Sequence, residues 1–199
     1  MWVALTPLAY LLGTFPSASI VASASGVDIT ATGSGNPGAS NVTRALGWRK
    51  GVLVFALDAL KGFLATVAGL WIGGRPGGYV FGAAAILGHI YPVTRGFRGG
   101  KGVATGGGVL AALHPVVFAV GTAVWLALSR LTGKAAVASI AAVVVAPVGL
   151  IIAGSPAWEI AATAGVCGLL VLRHAANIHR LLRREEPSLT PPTPDGTPP

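Results

Sequence analysis

Residues 103–128 read VATGGGVLAALHPVVFAVGTAVWLAL. The stretch would form one long membrane helix but for Leu113-His114-Pro115 near its middle. Proline has no N–H to donate and disfavours helical geometry in the residue before it, so the run predicts two helices meeting at His114. Each half would have about 12 residues and span about 18 Å, short of the about 30 Å of bilayer hydrocarbon. A re-entrant hairpin buried in the protein is therefore an acceptable variant of two short crossings.

Working outward, further apolar runs cover about 2–22, 51–72, 79–93, 135–153 and 158–172. Their length and weak polar alternation predict membrane helices. Composition agrees: 53% of the 199 residues are hydrophobic and 10% are charged, too few charges to cover a water-facing surface, where about 25% is usual. The net charge of +8 would point to nucleic acid on a soluble surface, but here the cations lie between apolar runs, so no nucleic-acid partner is expected. Residues 1–22 lack the basic start of a cleavable signal peptide and read as a span. Cys167, the only cysteine, lies in an apolar run. It reads as a small buried hydrophobe, with no disulfide and no metal cluster.

Lys and Arg in short loops set orientation. Arg44, Arg49 and Lys50 follow the first span, Arg95, Arg98 and Lys101 the third, and Arg173, Arg180, Arg183 and Arg184 the last. All can face the cytoplasm only if the break at His114 adds a segment. Arg130 and Lys134 then join them, leaving Arg75 outside and Lys61 within a span. The expected architecture is an all-α polytopic bundle of about seven segments, some short, with the N-terminus outside and the C-terminus cytoplasmic. Residues 1–186 form its membrane-embedded domain. The proline-rich stretch 187–199 (PSLTPPTPDGTPP) is expected to be disordered.

Three polar clusters fall on the cationic side. The first, Gly33-Ser34-Gly35-Asn36-Pro37-Gly38-Ala39-Ser40-Asn41-Val42-Thr43-Arg44, offers backbone N–H groups, hydroxyls, amides and a guanidinium suited to anionic oxygens. A simple connecting loop has no need of so dense a donor set. The second runs from Gly88-His89-Ile90-Tyr91-Pro92 to Gly96-Phe97-Arg98-Gly99-Gly100-Lys101-Gly102. Its glycines around one lysine suit an anion, but Arg95 and Gly102 break the nucleotide-binding P-loop pattern, which disfavours ATP hydrolysis. The third, His174-Ala175-Ala176-Asn177-Ile178-His179-Arg180, puts an imidazole, an amide and a guanidinium on one helical face. An interfacial anchor helix is its plainer reading. Asp58 and Lys61, three apart in a span, read as an intrahelical pair that supports the first polar loop. His114 reads as structural.

Taken together, these clusters resemble the three signature loops of the acyl-phosphate-dependent glycerol-3-phosphate acyltransferases of the PlsY type, from about residue 7 to 186. The resemblance implies transfer of a fatty acyl group from acyl phosphate to the 1-hydroxyl of sn-glycerol 3-phosphate. Lysophosphatidic acid and inorganic phosphate are the products, in phospholipid synthesis at a bacterial cell membrane, without a cofactor or metal. It implies catalytic roles for Ser34, Asn36, Asn41, Arg44, His174 and Asn177. His89, Gly99, Gly100, Lys101, Gly102 and Arg180 would bind substrate, and Glu186 would hold the tail. The chain departs from the family pattern at Thr30, Gly133, Ala136, Ala175 and Arg184. Readings of another class, a small anion or phosphate-ester transporter or an inactive lipid-binding scaffold, compete with this one. A transporter calls for polar groups near mid-membrane and repeated halves. Here the clusters lie at one interface and no repeat is visible.

Overall fold

The computed structural model describes residues 1–189, and among these all regular structure is helical. A 3₁₀ turn (Trp2–Leu5) leads into α1 (Thr6–Gly13) and α2 (Ser17–Ser23); then follow α3 (Ala39–Leu46) and α4 (Trp48–Ile90). After a loop come α5 (Val103–Leu113), α6 (Pro115–Thr132), α7 (Ala135–Ile152), α8 (Ala157–Leu172) and α9 (Ala175–Leu182). Trp2–Ser23, Trp48–Arg95, Pro115–Thr132 and Ala135–Ile152 are long and apolar enough to cross a membrane, and the bent pair α8–α9 is a fifth candidate.

α4 is a hairpin of two helical arms rather than one rod. Gly73 leaves the helical region and Gly74 takes φ +60°, ψ −156°, a conformation open to glycine and costly for other residues. Pro76 sits in the first turn of the second arm, where its missing N–H costs nothing. The arms touch through Gly69 and Gly77, where a Cβ on either would strike the other's carbonyl. The same close packing seats α5 on the first arm, with Gly62 against Thr105 and Gly108 against Ala59. Small residues of this kind let membrane helices approach where lipid gives no hydrophobic drive.

The predicted break at His114 is present, but its halves are unequal. α5 has 11 residues and α6 has 18, so α5 rises about 17 Å and falls short of a full crossing. Residues 129–132, read from sequence as a loop, continue α6: Ser129 and Thr132 turn their hydroxyls back onto the carbonyls of Leu126 and Leu128. Gly133, at φ +64°, ends the helix. The run 2–22, read as one span, is itself broken at Thr14–Pro16. There the Phe15 carbonyl accepts from Ser17 N at 3.1 Å and from Lys61 Nζ at 3.0 Å. Lys61 is held by Asp58 at 2.8 Å, and Asp58 accepts from Ser17 Oγ at 2.8 Å. The Asp58–Lys61 pair thus braces a helix break rather than the loop that follows.

Candidate active site

Asn41, buried at the start of α3, folds the first polar loop. Its Oδ1 accepts from Ser34 N at 3.0 Å, and its Nδ2 donates to the carbonyls of Ile29 (3.2 Å) and Thr32 (2.8 Å). Thr30, which departs from the family pattern, ties its N–H and hydroxyl to Asp28. Gly33 lies at φ +60° directly over Asn41 Oδ1. The loop is thereby held so that Ser34, Asn36 and Arg44 line one cavity.

The second loop lies on the end of α4. Gly100 N donates to the His89 carbonyl at 3.1 Å. A Cβ on Gly99 would strike that carbonyl, and one on Gly100 would enter the His89 ring. These two glycines therefore serve packing and do not line the cavity, whereas Lys101 and Gly102 do. Gly102, at φ +86°, starts α5. His89 lines the cavity too, with Nδ1 3.5 Å from Asp58 Oδ1.

The third cluster sits where α8 and α9 meet at 55°. His174 Nδ1 is 2.8 Å from the Leu170 carbonyl, so Nδ1 carries the proton and Nε2 is the ring's acceptor. Asn177 Nδ2 donates to Glu186 Oε1 at 2.7 Å, and Arg180 Nε donates to Glu186 Oε2 at 2.8 Å. Asn177 Oδ1 is buried with no hydrogen-bond partner among the described residues. Buried polar atoms are rarely left so, and this one belongs to a cavity-lining residue. Arg180 stays at the rim holding Glu186, off the cavity lining. Residues 187–189, assigned from sequence to the tail, cross the same region. Arg44 Nε donates to the Ser188 carbonyl at 2.8 Å, and Leu189 N to that of Gly133 at 2.8 Å. Lys134 Nζ reaches the Glu186 carbonyl. Residues 190–199, the rest of that tail, lie outside the described residues.

The cavity occupies about 480 Å³. Its polar mouth joins Ser34, Asn36, Arg44, Lys101, His174 and Asn177, so residues from all three clusters converge. Its remainder is an apolar slot between α5, α6, α7 and α8, lined by Leu110, Val117, Trp125, Val143, Val166 and Leu170 among others. Burial pushes the Lys101 ammonium down to about 8; Glu186 opposes that shift, and the nearby Arg180, Arg44 and Arg173 add to it. So crowded a set of cations around one carboxylate is costly in isolation and is relieved by a bound polyanion. Arg173 belongs to this field, with its guanidinium 5.4 Å over the Tyr91 ring. Sequence reasoning gave it only an orienting role, although it stands next to His174.

A family model described as glycerol-3-phosphate acyltransferase matches residues 3–184. The chain belongs to that family. It is 44% identical over 180 residues to a glycerol-3-phosphate acyltransferase of Aquifex aeolicus (strain VF5), covering 89% of this chain and 94% of that one. It is 43% identical over 188 residues to one from Roseiflexus sp. (strain RS-1), covering 90% and 91%. Two crystal structures of PlsY, described as an integral membrane glycerol 3-phosphate acyltransferase, are 41% identical to it and cover 94% of both chains. The glycerol 3-phosphate form superposes with a TM-score of 0.89 and the lysophosphatidic acid form with 0.87.

Proposed function

We propose that this protein transfers a fatty acyl group from acyl phosphate to the 1-hydroxyl of sn-glycerol 3-phosphate at the cytoplasmic face of a bacterial cell membrane. The observation that carries the reading is the two-part cavity, a cationic mouth continuous with an apolar slot. One substrate is a small polyanion, and the other joins a phosphate to a fatty chain. Lys101 and Arg44 hold the phosphates at the mouth, Arg173 and Arg180 add to the field, and the fatty chain lies in the slot.

Acyl phosphate is already activated, so the enzyme's work is to orient two anions and stabilise developing charge. Asn177 Oδ1 accepts the 1-hydroxyl of glycerol 3-phosphate. Glu186, by holding the amide's Nδ2, fixes which atom faces the substrate. The hydroxyl oxygen bonds to the acyl carbon as the bond from that carbon to the phosphate oxygen breaks. The hydroxyl proton leaves on the released phosphate, with His174 Nε2 placed to relay it. Ser34 and Asn36 donate to the carbonyl and phosphate oxygens. Seven segments with the N-terminus outside put every Lys and Arg except Arg75 and Lys61 on this face.

The test is purified protein in detergent with acyl phosphate and glycerol 3-phosphate, following phosphate release and lysophosphatidic acid. Turnover with acyl phosphate but not with acyl-CoA or acyl carrier protein is the expected result. Folded protein without turnover, or uptake of glycerol 3-phosphate into liposomes without acyl transfer, overturns the reading.

A further inference from the structure

The slot has a defined far end, and four helices agree on where it lies. Along α5, lining residues run from Val103 at the mouth to Leu113, ten residues or about 15 Å. That is about half the bilayer hydrocarbon, the depth of one leaflet of fatty chains. Val117 at the start of α6, Ala146 in α7 and Thr163 in α8 line the same end. Tyr79, from the second arm of α4, lines it with them.

Tyr79 differs from the other residues there because its position is fixed from three sides. Its hydroxyl is 2.7 Å from His114 Nε2 and 3.2 Å from Glu159 Oε2. Glu159, 1% exposed, takes two guanidinium nitrogens of Arg75 in a bidentate pair. Arg75 Nη2 and Glu159 Oε2 each also lie 3.2 Å from His114 Nε2. The Trp158 ring packs edge-on at 5.0 Å. Residues of α4, the α5–α6 break and α8 thus clamp one phenol ring that lines the end of the slot.

We infer that Tyr79 is the floor of the acyl slot and sets the longest fatty chain the enzyme accepts, with Arg75, His114 and Glu159 as positioning residues. The inference rests on the acyltransferase reading. A clamped ring rejects an extra methylene sharply, because it cannot swing aside to admit it. In a hydrophobic pocket one methylene changes discrimination by about 10–200-fold.

The experiment measures kcat/KM for saturated acyl phosphates of increasing chain length, with glycerol 3-phosphate saturating, for wild type and variants. Tyr79→Ala opens the floor, and the ratio of kcat/KM for the first chain rejected by wild type over the longest accepted rises about tenfold or more. Tyr79→Phe keeps the ring but frees it, and the ratio rises by a smaller factor. Thr163→Phe fills the same end from α8 and moves the cut-off to shorter chains, an outcome independent of any folding defect at position 79. An unchanged cut-off in folded Tyr79→Ala, or in folded Thr163→Phe, overturns the inference. Absence of acyl transfer by wild type with every donor instead overturns the acyltransferase reading, so the two failures are distinguishable. Because the readout is a ratio between donors, a merely destabilised protein does not move it.

Discussion

At the mouth of the cavity Arg44, Arg173 and Arg180 crowd Lys101, and one carboxylate, Glu186, opposes them. At the opposite end Arg75 meets Glu159 one to one, with His114 and Tyr79 completing the set. Both regions hold charge close to the membrane, yet the first is left in surplus and the second is closed. A closed set gives the fold a fixed point. A surplus is a standing cost, and the compensation comes from a substrate. Asn177 Oδ1, without a partner among the described residues, belongs to the open region, whereas both oxygens of Glu159 are taken by Arg75.

The contrast predicts that the mouth governs rate and the far cluster governs stability and chain length. The largest effect is expected at Lys101→Ala: kcat/KM for glycerol 3-phosphate falls about 10³-fold, with the thermal unfolding temperature in detergent unchanged or raised, since a costly charge is gone. Asn177→Ala follows, lowering kcat about 10²-fold in a product assay; a drop confined to KM would break the assignment of its Oδ1 to the reacting hydroxyl. At the far end the two partners are not equivalent. Arg75→Ala leaves a carboxylate that is 1% exposed without its cation and destabilises by about 3 kcal/mol. Glu159→Ala releases an arginine whose side chain is 46% exposed, so its loss is smaller, about 1 kcal/mol. Equal losses in chemical denaturation would show that the pair is not buried as described.

The smallest effect sharpens the electrostatics. With Lys101 at about 8, the ammonium is intact at pH 7 and is lost as pH rises through that value. Profiles of kcat/KM, which report the free enzyme, should therefore fall about tenfold per unit above pH 8. Lys101→Arg cannot deprotonate and should lose that alkaline limb while keeping part of the activity.

Much of this was legible in the chain. The Leu113-His114-Pro115 break, the separate apolar runs 51–72 and 79–93 that become the two arms of α4, and the convergence of Arg44, Lys101, His174 and Asn177 follow from residue types and parity. The break at Thr14–Pro16 was hidden because the run around it is apolar and its partners, Asp58 and Lys61, lie more than 40 residues away. Glu159 was passed over inside an apolar run, although a lone acid and the lone outer cation Arg75 were a clue to each other across 84 residues. The roles of Gly99 and Gly100 were also out of reach. A glycine beside a lysine looks like an anion cradle, and only the position of His89 shows that both glycines are also packed against it.

The contact between Lys61 and the Phe15 carbonyl also bears on how the chain enters the bilayer. That carbonyl keeps one backbone donor at the break, Ser17 N at 3.1 Å, and takes Lys61 as its second, while Asp58 and Lys61 on their own would be an ion pair in hydrocarbon. The break gives both charges a polar partner, the Ser17 hydroxyl for Asp58 and the Phe15 carbonyl for Lys61. The hairpin is therefore a poor lodger without the first helix and a good one beside it, so biogenesis favours their leaving the insertion machinery as one unit, joined before the charged pair faces lipid alone.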